Sequence, residues 1–160
     1  MNDNLGKKAE SKIKEWLNQP DKGWDFNRIP DQMTGQYGSK NICDFDLYIN
    51  PNKFYIESKA TWADRFDFAM ISDFQFENLM KKSAIDGVSC LIIVLFATHQ
   101  QAFAIPIQEI AKAKEAGVKS INIKKIDSWT IKYQRIQTVP SRKELLDYTG
   151  ELRTSVEITQ

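Results

Sequence analysis

Apolar residues recur with different periods along this chain, and each period marks a different kind of element. Leu5, Ala9, Ile13, Trp16 and Leu17 follow one another at helical spacing behind the cap-forming Asn2, Asp3 and Asn4, and Pro20 ends the run. Trp24 to Ile29 reads as a short strand, whereas Pro30 to Lys40, punctuated by Gly and Pro, has no period. Ile42 to Ile49 alternates strictly, with Cys43, Phe45, Leu47 and Ile49 turned one way and Ile42, Asp44, Asp46 and Tyr48 the other. Asn50, Pro51 and Asn52 make a turn. Lys53 to Ala60 then alternates again, Phe54 and Ile56 on one face and Glu57 and Lys59 on the other.

Ser72 with Gln75 has the form of a capping box, and Phe76, Leu79, Met80 and Ala84 continue a helix that Asp86 and Gly87 stop. Val88 to Phe96 is almost wholly apolar, the pattern of a strand buried on both faces, which demands helices on both sides of its sheet. Ala102 to Pro106 is a partner strand, Ile107 to Glu115 a helix closed by Gly117, and short strands lead to a final helix after Ser141. The order of elements predicts an α/β fold: helix, three strands, helix, then a buried strand, in a mixed sheet flanked by helices.

At 160 residues and 42% hydrophobic, the chain supports one core, so residues 1–160 are expected to form a single domain. A formal charge of +1 gives no bulk attraction for a polyanion, but charge is unevenly spread. Lys119, Lys124, Lys125, Lys132, Arg135, Arg142 and Lys143 face a lone acid, Asp127, so residues 119–160 read as a basic C-terminal extension. Cys43 and Cys90 lie in apolar runs without C-x-x-C spacing, as core thiols of a reducing compartment do. With no apolar run near about 18 residues and no leader pattern, a cytoplasmic protein without a membrane partner is expected. His99, the single histidine, sits in the polar run Thr98 to Gln101 as a turn residue, which argues against histidine-clustered zinc and against a serine hydrolase lacking G-x-S-x-G.

Hydrolysing a phosphodiester requires an activated water, charge on the nonbridging oxygens and help for the leaving oxygen. Mg²⁺ takes hard oxygen ligands, usually one or two carboxylates, so an Asp and a Glu converging beside a lysine make a credible site. Glu57 and Lys59 share a strand face. Asp44 joins them if the hairpin turns at Asn50 and Pro51 or at Pro51 and Asn52, which sets it opposite Glu57 or Lys59 while Leu47 and Phe54 stay on the apolar face. The bare E-x-K is common: a second copy, Glu10-Ser11-Lys12, lies on a helix, where residues two apart point about 200° away from each other. Asp46 shares the face of Asp44 and is an alternative ligand. Asp31, after Pro30, is another, though its irregular segment does not fix it beside Glu57.

At these positions the chain resembles the RecU-type Holliday junction resolvases, a branch of the PD-(D/E)xK nucleases, in a short phage-like version. Gly6 with Glu10 is similar to the family's first-helix Gly-x-x-x-Glu. Asp44 precedes Glu57 as the family's metal Asp precedes its E-x-K, and Ile56-Glu57-Ser58-Lys59-Ala60-Thr61 resembles its catalytic strand. Gln75, Asp86-Gly87 before the apolar strand, and Phe103-Ala104-Ile105-Pro106 match in order. Phe74 and Ser58 stand where His and Ala are usual, and the segment between the first two strands is short and holds only Arg28 and Lys40 as cations.

The resemblance implies a restriction-endonuclease-like core and an Mg²⁺-dependent (or Mn²⁺-dependent) endodeoxyribonuclease that resolves four-way junctions by paired nicks. It implies that Asp44 and Glu57 bind the metal, with the Ser58 carbonyl as a further ligand. Lys59 would orient water and stabilise the pentavalent charge, Glu10 assist a second metal or position the lysine, and Gln75 hold a water or the lysine. Two nicks imply a homodimer acting on branched DNA, in a bacterial or phage-infected cell. Residues 27–43 are expected to project as a stalk, with Arg28, Lys40, Met33 and Tyr37 against the junction, while Lys124 and Lys125 contact phosphate. A restriction- or repair-type nuclease on duplex DNA and a noncatalytic DNA-binding module are the alternatives.

Overall fold

The amino-terminal helical period folds as α1 (Asn2–Leu17), with Leu5, Ala9, Ile13 and Leu17 buried along one stripe. The structure is a computed structural model that describes residues 2–17, 24–30 and 41–136. Trp24 Nε1 donates to the Leu17 carbonyl at 2.8 Å, which ties the end of α1 to the entry of β1 (Asp25–Arg28). Then come β2 (Phe45–Ile49), β3 (Asn52–Thr61), β4 (Arg65–Asp67) and α2 (Asp73–Ser83). They are followed by β5 (Val88–Phe96), β6 (Gln101–Pro106), α3 (Ile107–Glu115), β7 (Ser120–Asn122) and β8 (Gln134–Ile136).

A six-stranded sheet has the order β1-β2-β3-β5-β6-β8, and β4 pairs with β7 in a separate ribbon. Among the described residues only β3 and β5 run parallel, joined by the crossover that contains α2; the other pairs are antiparallel. The fold is therefore the mixed α/β arrangement that the order of elements predicts. Alternate residues of the central strands feed two cores. Phe45, Leu47, Phe54, Ile56, Leu91 and Ile93 pack on the α1 side, and Cys90, Ile92, Val94, Phe103 and Ile105 pack with Leu79 of α2 and Ile110 of α3. The continuous apolar run of β5 is explained by this double burial.

The helix boundaries have local causes. Ser72 Oγ accepts from the Gln75 N–H at 3.1 Å and starts α2, while Gly117, at φ 86, follows the end of α3. None of the helices among the described residues is long and apolar enough to cross a membrane.

The structure differs from the expectation in several places. Strict alternation holds from Phe45 to Ile49 but not at Cys43, which packs in the α2/α3 core and not with Phe45. The chain bends before β2, so residue parity no longer assigns the face. The pairing of β4 with β7 has no counterpart in the hydrophobic pattern. In residues 119–136, β7 and β8 join the sheets and Ile121, Ile123 and Ile131 join the core, because this stretch interleaves apolar residues among its cations. The expected helix after Ser141 and most of the 27–43 segment lie outside the described residues.

Candidate active site

The hairpin of β2 and β3 turns at Asn50 and Pro51, pairing Ile49 with Asn52, Leu47 with Phe54 and Phe45 with Ile56. One step further, this register sets Asp44 opposite Glu57. Of the two turns the sequence allows, the structure takes the one that makes Asp44 the partner of Glu57.

Asp44, just before β2, is held between β3 and the residue that follows β1. Its N–H donates to the Ile56 carbonyl at 3.0 Å, its carbonyl accepts from the Ile29 N–H at 2.8 Å, and its Oδ2 accepts from the Ser58 N–H at 2.8 Å. Glu57 lies on the same side of the sheet as Ile92, its neighbour on β5, and is only 4% exposed. Lys59 Nζ lies 3.2 Å from Glu57 Oε2 and donates to Gln75 Oε1 at 3.3 Å. Gln75 is thus in the first turn of α2 for two reasons: its N–H is capped by Ser72, and its amide reaches the lysine. Only half of the expected capping box forms, since the side chain serves Lys59.

Burial pushes the Glu57 carboxyl up to about 8, and the charge of Asp44 pushes in the same direction, against a smaller lowering by Lys59. Glu57 Oε1 is buried and has no hydrogen-bond partner. A buried carboxylate oxygen without a donor, next to a second carboxylate, is the arrangement a divalent cation would satisfy. Asp44 and Glu57 therefore fit a metal by ligand chemistry. Among the described residues no group of three or more His, Cys, Asp or Glu is placed to hold a metal ion. The Cys43 thiol, raised to about 12 by burial and then by Glu57 and Asp44, stays protonated against them as part of the core.

The remaining candidates are distributed as follows. Glu10 is ion-paired to Arg28 Nη2 at 2.7 Å, both partly buried, and Arg28 also donates to the Ile29 carbonyl. Asp46 accepts from Asn27 at 3.2 Å and pairs with Lys53 at 3.3 Å, further along the hairpin. The Ser58 N–H serves Asp44, while its hydroxyl is buried without a partner on the α1 side. Lys124 pairs with Asp64 at 3.0 Å and Lys125 is exposed. Asp31, Met33, Tyr37 and Lys40 lie outside the described residues. His99 is in a turn, as expected, but also has an unforeseen partner: its Nε2 is 2.6 Å from Asp64 Oδ1. Hydrogen bonds from His99 and Lys124 hold the Asp64 carboxyl below its usual range. Asp64 and His99 are 35 residues apart, beyond any local spacing rule.

Residues 25–153 match the family of recombination protein U, which is most of the chain. The chain belongs to that family. Its function is accordingly that of a Holliday junction resolvase, a nuclease of DNA recombination. No curated protein matches the chain. Among solved structures it is similar to Hjc, a Holliday junction resolvase from the archaeal hyperthermophile Archaeoglobus fulgidus. That match has 17% identity and a TM-score of 0.48, and covers 65% of this chain and 78% of the other.

Proposed function

We propose that the chain nicks four-way junctions with a divalent cation, Mg²⁺ or Mn²⁺, held by Asp44 and Glu57, and that Lys59 is the catalytic cation beside the attacking water. The observation that carries this is the buried, partnerless Glu57 Oε1 beside Asp44 and Lys59. The chemistry supplied by the cation when bound is Lewis-acid polarisation of the phosphoryl group and neutralisation of its charge. Asp44, fixed by the Ser58 N–H through one oxygen, keeps the other for binding. Lys59, fixed between Glu57 and Gln75, presents its ammonium where the attacking water and the developing phosphoryl charge would lie. Gln75 removes rotamer freedom from Lys59 and thereby orients it.

Resolving a junction takes two nicks on opposed strands, so a twofold dimer carrying two such sites is part of the proposal. Residues 1–160 would act as one nuclease domain, with the 27–43 segment as the stalk that meets the junction. The test is to incubate the protein with matched four-way junction and linear duplex, with Mg²⁺, with Mn²⁺ and with EDTA. Metal-dependent paired nicks in the junction are expected. Lys59→Ala should lower nicking by about a hundred-fold or more while junction affinity stays within a few fold, since a preorganised charge acts on the transition state. Tight junction binding by the unmodified protein with no nicking under any metal would refute the proposal in favour of a noncatalytic module.

A further inference from the structure

Beyond the carboxylate site, the same end of β3 and β5 carries a groove of about 550 Å³ on the other side of the sheet. Lys7, Lys8 and Lys12 of α1 line one wall, and Leu95 and Gln100 line another. The groove also takes in Trp62, which is 53% exposed although its carbonyl is anchored by Thr98 Oγ1 at 2.7 Å. Gln100 holds a left-handed backbone conformation at φ 51, one that residues other than Gly rarely adopt, and it lines this same groove. Three lysines against one acid, Glu15, leave the lining positive in a chain that is nearly neutral as a whole.

We infer that this groove binds an unpaired or splayed DNA strand, with phosphates on Lys7, Lys8 and Lys12 and one base stacked on Trp62. The inference rests on the chain being a junction nuclease and adds a strand-binding site to it. A half-exposed indole set among exposed lysines is the pairing that single-stranded recognition uses, because stacking accepts any base while the cations follow the backbone. Duplex DNA offers no free base face to such a platform, so the groove favours bases released from their stack, as at a strand crossover.

The experiment is fluorescence anisotropy of a labelled short oligothymidylate and of a labelled four-way junction, in EDTA so that cleavage does not intervene. Trp62→Ala should weaken both by about five- to a hundred-fold, and Trp62→Phe by only a few fold, since a phenyl ring still stacks. Lys8→Ala with Lys12→Ala should lower the salt slope for the single strand by about 0.7 for each phosphate that is no longer neutralised. These side chains are exposed, so melting temperatures should match the unmodified protein and separate weaker binding from impaired folding. Unchanged affinity in Trp62→Ala and in the double lysine variant would overturn the inference. So would a Trp62→Ala protein that changes its sedimentation but not its DNA affinity, which would make the groove a protein interface. The two readings fail separately. Trp62-dependent binding without metal-dependent nicking retains the groove and removes the nuclease, while nicking with Trp62-independent binding does the reverse.

Discussion

Replacing Glu57 by Gln is expected to stabilise the fold while destroying activity, and the size of the gain should depend on pH. The carboxyl moves from 4.5 in the unfolded chain to about 8 in the fold, chiefly because it is buried and secondly because Asp44 repels its charge. Its folded pKa is raised, so the favourable protonated state is fully available below 4.5 in both forms. As pH rises from there towards about 8, the unfolded chain gives up a proton that the folded chain keeps, and stability falls by about 1.36 kcal/mol per unit. Between 4.5 and neutrality this accumulates to a ceiling of roughly 3 kcal/mol, less whatever the site recovers by relaxing.

Gln keeps the shape and an acceptor for Lys59 but cannot ionise, so that loss disappears. At about 2–4 °C per kcal/mol for a chain of this size, the variant should melt several degrees above the unmodified protein near pH 8. The two should nearly coincide near pH 5. The assay is a set of thermal melts in EDTA from pH 5 to pH 8, read as the difference between the two proteins, in which the shifted Asp64 cancels because both carry it. Adding Mg²⁺ or Mn²⁺ should raise the melting point of the unmodified protein and not that of the variant, since a ligand stabilises only the form that binds it. A difference that is flat with pH, or an unmodified protein that is the more stable at pH 8, would refute the reasoning that burial and Asp44 load this carboxyl.

Two further outcomes follow from the same geometry. Ser58→Ala should leave nicking intact and leave stability unchanged or up to about 1 kcal/mol higher in urea melts, because it removes a buried hydroxyl that has no partner. Gln75→Ala should lower the nicking rate by about ten- to a hundred-fold with junction affinity unchanged, as removing a supporting hydrogen bond to a reactive group does, and single-turnover kinetics at saturating protein would show it.

The parts of this fold that were legible in the sequence are those where one physical period dominates. The nine-residue run of β5, the alternation in β3 and the span of α3 each appear within a residue of where periodicity puts them, while β2 begins three residues after its alternation does. The convergence of Asp44 with Glu57 was legible to the extent of two registers, because apolar Leu47 and Phe54 had to share a face. The turn at Asn50 and Pro51 decides between them. What stayed hidden depends on long-range contact. Cys43 leaves its strand face at a bend, β4 is too short to show a period, and Asp64 finds His99 and Lys124 only in three dimensions. Trp62 was invisible for a related reason: an aromatic at a strand end reads as core until its exposure is known.

The register also explains how a costly acid pair persists. Pairing Phe45 with Ile56 and Leu47 with Phe54 is the same structural fact as setting Asp44 opposite Glu57. A slip of one residue would turn the apolar side chains to the other face and separate the acids in the same movement. All four apolar residues are fully buried, and burying each contributes about 1.5–3 kcal/mol, or roughly 6–12 kcal/mol together. The charge cost at Glu57 near neutrality is roughly 3 kcal/mol at its ceiling, so packing wins by a factor of at least about two. The site therefore cannot relax by letting the hairpin shift. Its remaining ways to lower the cost are to keep a proton on Glu57 or to take up a cation, and the backbone bond from Ser58 to Asp44 keeps both carboxyl groups where either can happen.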